Sequence, residues 1–259
     1  MLYPKEHIAV GLSGGKDSTA LLLLLHTLRS AWPGLELTAV TVDEGIAGYR
    51  EETMGAAADL AETLGIRHET VLFTDLFGKP LDLMVKGREE RACSICGVMR
   101  RRALVKGARI IGAKKIATGH TLDDEAQSVM MNVLRGDLSL LLQDSSTGDP
   151  GPFILRIKPL SVVSEREILT YLLVRGYYRD LPECPYTSSA LRSEVRILLE
   201  RFEGQFPGTC EHLLGIRDSL RDQFPRIVSR GSLPVCRECG ELSSGEICQA
   251  CRILHSLRD

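Results

Sequence analysis

A short apolar run, Ile8-Ala9-Val10, is followed by a glycine-rich turn and then by a longer apolar run from Thr19 to Leu28. The first has the length of a buried strand and the second that of a helix. The same alternation continues along the chain. Strands are predicted at Ile8–Leu12, Glu36–Val42, His68–Phe73, Lys115–Thr118 and Phe153–Leu160. Helices are predicted at Arg50–Leu64, Cys93–Ile111 and Leu122–Leu134, with another opening on the capping box Ser164-x-x-Glu167 and running to Val174. Strands alternating with helices predict an α/β fold, a parallel five-stranded sheet with helices on both faces in the Rossmann-like manner. Leu140–Pro152 reads as a loop with a weakly apolar start.

After Arg175 the pattern changes. Gly176–Ser189 is turn-rich, and two amphipathic helices follow at Ala190–Phe206 and Thr209–Phe224. From Gly231 onward the chain is rich in cysteine, punctuated by glycine, and too poor in apolar residues to fold without a staple. The expected organisation is therefore a main domain over 1–180, a helical extension over 181–230 and a C-terminal knuckle over 231–259.

Composition narrows the class. With 259 residues, 44% of them hydrophobic, the chain can bury a sizeable core. Its longest apolar run, Ala20 to Leu25, is too short to cross a bilayer, and Glu6 and His7 interrupt any signal-peptide pattern. A cytoplasmic protein with no membrane partner is expected. The net charge of −2 leaves a nucleic-acid partner to be decided by local charge.

The turn after the first strand, Gly11-Leu12-Ser13-Gly14-Gly15-Lys16-Asp17-Ser18, has the chemistry of a phosphate site. Glycines let backbone N–H groups face an anion at a helix N-terminus, the two serines add hydroxyl donors, and Lys16 adds a charge. The common nucleotide loop is excluded, because Val10 stands where its first glycine would be and Asp17 follows Lys16. In an open parallel sheet, ligands sit at the carboxyl ends of the strands. This adds Thr41-Val42-Asp43 and Gly119-His120-Thr121-Leu122-Asp123-Asp124 as candidates. Gly119 would let backbone approach a ligand, and the paired carboxylates could hold Mg²⁺ or activate a nucleophile, or simply cap the following helix.

Eight cysteines in a chain without a secretion signal point to metal rather than to disulfides. Cys93 and Cys96 open a helix rich in base, and a helix N-terminus favours the thiolate. Arg102, Lys106 and Arg109 share one face of that helix, which is either a solvated surface or a track for nucleic-acid phosphates. Cys184, between Pro182 and Pro185, is a candidate third ligand. Three thiolates would leave one iron of a [4Fe–4S] cluster open, while a redox Cys-x-x-Cys pair or a buried Cys184 are the alternatives. Cys210 reads as structural. The tail Cys236-x-x-Cys239-x8-Cys248-x-x-Cys251 has the spacing of a closed four-thiolate Zn²⁺ site.

Ser13-Gly14-Gly15-Lys16-Asp17-Ser18 resembles the PP-loop of the N-type ATP pyrophosphatases. With Cys93-Ser94-Ile95-Cys96-Gly97, Gly119 to Gln127, Met131 to Asp137, Cys184-Pro185-Tyr186, Pro207-Gly208-Thr209 and the four-cysteine tail, the chain resembles the tRNA 2-thiouridine synthetases, which include the TtuA-like enzymes and the wobble-uridine thiolases. The resemblance implies that ATP and Mg²⁺ bind at Gly11 to Ser18, Val42, Gly119 and Asp124. It implies that a tRNA uridine is adenylated at its 2-oxygen and that Cys93, Cys96 and Cys184 hold a [4Fe–4S] cluster. Sulfur would come from sulfide or from a ubiquitin-like thiocarboxylate protein, and the protein would be a homodimer. Two departures stand out. Only seven residues precede the first strand, so the N-terminal zinc knuckle of the family is expected to be missing. Arg100 also occupies the position where some members carry a catalytic lysine. Arginine stays protonated, which makes Asp124 the expected catalytic group. A tRNA 2-thiocytidine synthetase and a non-enzymatic zinc-bearing RNA- or ATP-binding module are the rival readings.

Overall fold

The computed structural model describes residues 3, 5–142, 153–186, 191–224, 235–243 and 245–257. Its sheet contains β1 (His7–Gly11), β2 (Glu36–Asp43), β3 (Arg67–Leu72), β4 (Lys115–Ala117) and β5 (Leu155–Ile157), all parallel, in the order β3-β2-β1-β4-β5. The helices are α1 (Lys16–Arg29), α2 (Arg50–Thr63), α3 (Phe73–Phe77), α4 (Leu81–Met84), α5 (Ala92–Ile110) and α6 (Leu122–Leu134). They continue with α7 (Leu138–Leu142), α8 (Glu165–Arg175), α9 (Leu191–Gln205), α10 (Thr209–Gln223) and α11 (Gln249–His255). Among the described residues, no helix is long and apolar enough to cross a membrane.

Strand alternation produces two cores. Ile8 and Val10 of β1, with Leu37 and Ala39 of β2, face a layer built from α1, α2 and α8, where Leu21, Leu22, Leu60 and Ile168 are buried. Ala9, Val40, Val42 and Val71 face the opposite way, against α5 and the short α3 and α4, through Ile95, Met99, Phe73 and Met84. A third cluster joins α6 to α9 and α10 through Ala126, Val129, Val195, Leu199 and Leu214. Cys210 is buried there, its thiol pushed up to about 12 by burial, in keeping with a structural role.

The predicted sheet and long helices are present, with local differences. β4 and β5 are only three residues long, so Thr118 and Phe153 lie outside the strands. Helix α1 starts at Lys16, which makes Lys16, Asp17 and Ser18 its first turn. Between β3 and α5 the chain forms α3, α4 and a 3-10 turn (Glu89–Arg91), elements too short to leave a readable period. α7 stands where a loop was expected, while the rest of that predicted loop, 143–152, lies outside the described residues, as do 187–190 and 225–234 of the later connections. The capping box of α8 is formed as read: Ser164 Oγ accepts from Glu167 N at 3.2 Å and Ser164 N donates to Glu167 Oε2 at 2.8 Å.

The chain steps outward from β1 to β3, then crosses back to place β4 on the other side of β1. The carboxyl ends of β1 and β4 therefore diverge, leaving a crevice at the switch point. The other wall of that crevice is α5, which closes on the sheet at Gly107. A Cβ there would lie 2.7 Å from Val40 Cγ1 and 2.9 Å from Val71 Cγ2. Replacing Gly107 with Ala should therefore lift α5 and cost about 1–3 kcal/mol by overpacking, measurable as a lower denaturant midpoint with an unchanged slope.

Candidate functional site

The β1–α1 turn is held open by its backbone. Gly14 has φ +90°, and a Cβ on it would lie 2.0 Å from the Thr53 carbonyl oxygen, so only glycine fits. Gly15 is the N-cap of α1 and offers no side-chain cap, which leaves the first-turn N–H groups for an anion. Ser18 Oγ organises the turn: it accepts from Ser13 N at 3.1 Å, lies 3.0 Å from Ser13 Oγ and donates to the Gly15 carbonyl at 2.9 Å.

The β4–α6 turn packs directly on this loop. A Cβ on Gly119 would lie 2.9 Å from Asp17 C and 3.0 Å from Ser18 N, so Gly119 serves a close approach to the loop's own backbone. Thr121, not an aspartate, caps α6. Its Oγ1 accepts from Asp124 N at 3.2 Å, and Asp124 Oδ2 accepts from Thr121 N at 3.2 Å. Asp124 therefore uses one carboxylate oxygen for the capping box, and its Oδ1 lies 3.4 Å from Arg192 Nη1. Asp123 points elsewhere, accepting from Glu165 N at 2.7 Å.

A cavity of about 270 Å³ lies between these turns and α5. Its lining includes Gly11, Leu12, Ser13, Gly15, Asp17, Ser18, Val42, Gly119 and Asp124, nine of the residues expected to bind nucleotide. Gly14 and Lys16 instead line a smaller cavity of about 170 Å³ toward α8. There the Lys16 ammonium is held by Asp17 at 3.0 Å and Glu165 at 2.7 Å. Burial raises the Asp17 carboxyl to about 6 although Lys16 pulls it down, and Asp124 adds to the rise, so the two cavity carboxylates feel each other. One or two carboxylates beside an anion pocket suit Mg²⁺ held jointly with phosphates. Burial holds His120 below the usual histidine range, against the pull of Asp124.

A central group lies one residue beyond the Thr41-Val42-Asp43 stretch. Asp43, at the end of β2, only accepts from Gly45 N at 2.8 Å, whereas the next residue, Glu44, turns into the cavity and is 2% exposed. It meets Arg50 Nε at 2.8 Å and Arg100 Nε at 2.5 Å. An acidic pair at a strand's carboxyl end was the available signal, but only the fold says which member faces inward.

Cys93 and Cys96 occupy the first turns of α5, exposed and buried respectively, and Cys184 is half-buried in a segment that packs against the same core. That segment is pinned to the helix by Cys93 Sγ, which donates to the Tyr186 carbonyl at 3.0 Å. Burial opposes the thiolate preference expected at the helix terminus. Burial pushes the Cys96 thiol up to about 11 despite Arg100, and burial with the neighbouring Cys184 raises Cys93. A bound cation is what would draw these protons off. Three unbridged thiols on a loop and a helix turn are a donor set that fits a cluster with one open iron.

The C-terminal cysteines converge as the spacing required, with the four sulfur atoms within 4.8 Å of one another. Cys236 and Cys251 Sγ are 3.9 Å apart, and Cys239 and Cys248 Sγ are 3.6 Å apart. These lengths bracket the edge of about 3.8 Å expected for a tetrahedron of 2.3 Å metal–sulfur bonds. The Cys248 N–H donates to Cys236 Sγ at 3.2 Å and lowers that thiol to about 6. The basic face of α5 is partly spent on this knuckle. Glu241 takes Arg102 at 3.0 Å and also pairs with Arg109, so two of the three bases proposed as a phosphate track form a docking contact.

The family model for a PP-loop domain matches residues 2–180. The chain is similar to tRNA 2-thiolation protein NcsA of Haloferax volcanii, with 39% identity over 261 residues, covering 96% of this chain and 81% of that protein. It is also similar to cytoplasmic tRNA 2-thiolation protein 1 of Bos taurus, with 38% identity over 268 residues, covering 99% of this chain and 76% of that protein. Among solved structures it is similar to the U34-tRNA thiolase NcsA from Methanococcus maripaludis with its [4Fe-4S] cluster. The TM-score is 0.85 and the identity 34%, with 99% of this chain and 82% of that one covered.

The Asp17 carboxyl yields a pH prediction. Its folded value of about 6 lies above the ordinary 3.8, so the folded chain binds this proton more tightly than the unfolded one. Stability from this group is then complete below about pH 4 and declines as pH rises through about 6. Asp17→Asn should stabilise the chain by about 1–2 kcal/mol at neutral pH, after allowance for partial exposure, and the gain should vanish below about pH 4. Thermal unfolding across that range measures it.

Proposed function

The chain belongs to the PP-loop family of tRNA 2-thiolation proteins, and on that premise we propose that it is an ATP-dependent tRNA-uridine 2-sulfurtransferase. The observation that carries this reading is the cavity lined by Ser13, Gly15, Asp17, Ser18 and Asp124 and also by Arg100, whose guanidinium donates to Cys96 Sγ at 3.4 Å. One side chain, Arg100, thus joins the lining of the anion site to a cysteine sulfur.

In this reading the open N–H groups of α1 and the hydroxyls of Ser13 and Ser18 bind the phosphates of ATP. Asp17 and Asp124 would hold Mg²⁺, which when bound would offset phosphate charge. The 2-oxygen of the uridine attacks the α-phosphorus, the bond to the β-phosphate breaks, and pyrophosphate leaves. Sulfur then forms a bond to C2 while the C2–O bond breaks, and AMP departs. Asp124, with one oxygen fixed by its capping box, is oriented to receive or return a proton at the reacting base. Cys93, Cys96 and Cys184 would hold a [4Fe–4S] cluster, which when bound supplies an iron free of protein ligand at which sulfur can be held. Cys236, Cys239, Cys248 and Cys251 would hold Zn²⁺ as a closed structural ion. The sulfur donor is sulfide or a ubiquitin-like thiocarboxylate protein, and the working form is a homodimer. Similarity to a U34-tRNA thiolase favours the wobble uridine as the target.

The test is nucleoside analysis of tRNA after anaerobic reaction with ATP and sulfide. The expected product is 2-thiouridine at position 34, formed only by protein carrying about four irons per chain. Asp124→Asn should lower its formation by about 100-fold or more while leaving iron content unchanged. Full activity of iron-free protein, or modification of cytidine instead, would overturn the proposal.

A further inference from the structure

One arrangement in the cavity belongs to neither the loop nor the thiols alone. The buried Glu44 carboxylate divides its oxygens between two guanidiniums, Oε2 to Arg50 at 2.8 Å and Oε1 to Arg100 at 2.5 Å. From Arg50, Nη2 donates to the Val42 carbonyl at 2.5 Å and Nη1 to the Ser13 carbonyl at 3.3 Å, which ties this side chain to the end of β2 and to the loop. From Arg100, Nη2 donates to Cys96 Sγ at 3.4 Å. The contacts run without a break from loop backbone to cysteine sulfur, and Glu44, Arg50 and Arg100 all line the cavity. Two guanidiniums on one carboxylate leave the group with a net positive charge, facing the space an anion would enter. The two arginines differ in freedom: the Arg50 side chain is 6% exposed and that of Arg100 is 44% exposed.

We propose that Glu44 and Arg100 are positioning residues that link the nucleotide loop to the Cys96 sulfur, so that a nucleotide in the cavity alters the accessibility of Cys96. This rests on the nucleotide half of the functional reading. Arg50 is locked, whereas Arg100 has room to turn, and phosphate oxygens compete for the same guanidinium that now covers Cys96. Lysine at this position would carry the charge but could not fork between a carboxylate and a sulfur. By linkage, whatever the nucleotide does to Cys96, the state of Cys96 does to nucleotide affinity.

The experiment uses the full chain produced without iron and kept in Zn²⁺, with a non-hydrolysable ATP analogue whose binding is measured by calorimetry. Alkylation of Cys96 is followed by mass spectrometry relative to Cys93, the exposed thiol of the same helix turn. In the parent protein the analogue should change the Cys96 to Cys93 ratio by about fivefold, at the lower end of typical coupling between sites. Arg100→Gln, compared at analogue concentrations that saturate it by calorimetry, should show almost no change in the ratio even where its affinity is lower. Arg100→Lys should behave in the same way as Arg100→Gln. An equal change in the parent and in R100Q would mean simple shielding by the nucleotide and would overturn the link. A parent-like response in R100K would overturn the positioning role in favour of bare charge. Analogue binding without any change in the parent ratio refutes the link alone, whereas no analogue binding refutes the nucleotide reading and the link together.

Discussion

Three backbone segments meet at the crevice with no room for a side chain between them. The loop after β1 touches the first turns of α2 at Gly14, and the turn after β4 touches the loop at Gly119. These contacts fix the N-terminus of α1 relative to the ends of β2 and β4, and the cavity is the volume they leave. Asp17 and Asp124 come within each other's field because of them. The parallel sheet supplies diverging strand ends, and the glycines let the chain close around them without filling the space.

Onto this backbone frame the site adds charge that is costly to bury. Glu44 and Arg50 are both nearly inaccessible, and removing one partner of such a pair typically costs about 3–5 kcal/mol. Their geometry is therefore stiff. Arg100 and Lys16 are different, because each is paired yet partly exposed, and neither is shut into one partner's company. The crevice thus combines a fixed cation, Arg50, with an adjustable one, Arg100, while Lys16 is adjustable in the adjoining cavity toward α8. That division suits a site where charged groups must be exchanged during a reaction.

Much of this was legible in the residues. The strand and helix pattern followed from apolar spacing, the anion loop from Gly14 and Gly15 between a strand and a helix, and the four-sulfur site from two Cys-x-x-Cys pairs. What was not legible depended on pairing across distance. Glu44 gains its meaning from Arg50 and Arg100, and neither spacing nor composition couples those positions. The bases of α5 looked like a nucleic-acid track until Glu241 arrived from the far end of the chain. The burial that raises the Cys93 and Cys96 thiols was equally illegible, because it is set by everything packed around them. Residues 73–91 gave no periodic signal because their helical segments span barely one turn each.

The docking of the C-terminal knuckle on α5 has a bearing on how the molecule is assembled. Glu241 clasps Arg102 and Arg109, Ala250 packs into the core beneath the helix, and the Ser256 carbonyl receives Arg88 at 3.2 Å just before the helix begins. The seat of the helix that presents Cys93 and Cys96 is thus completed by residues made long after it on the ribosome. Contacts of such separation form late, since the entropy of closing the intervening chain must be overcome first. The two sets of cysteines are therefore mechanically joined, because whatever loosens the tail also loosens one side of the seat on which Cys93 and Cys96 are carried.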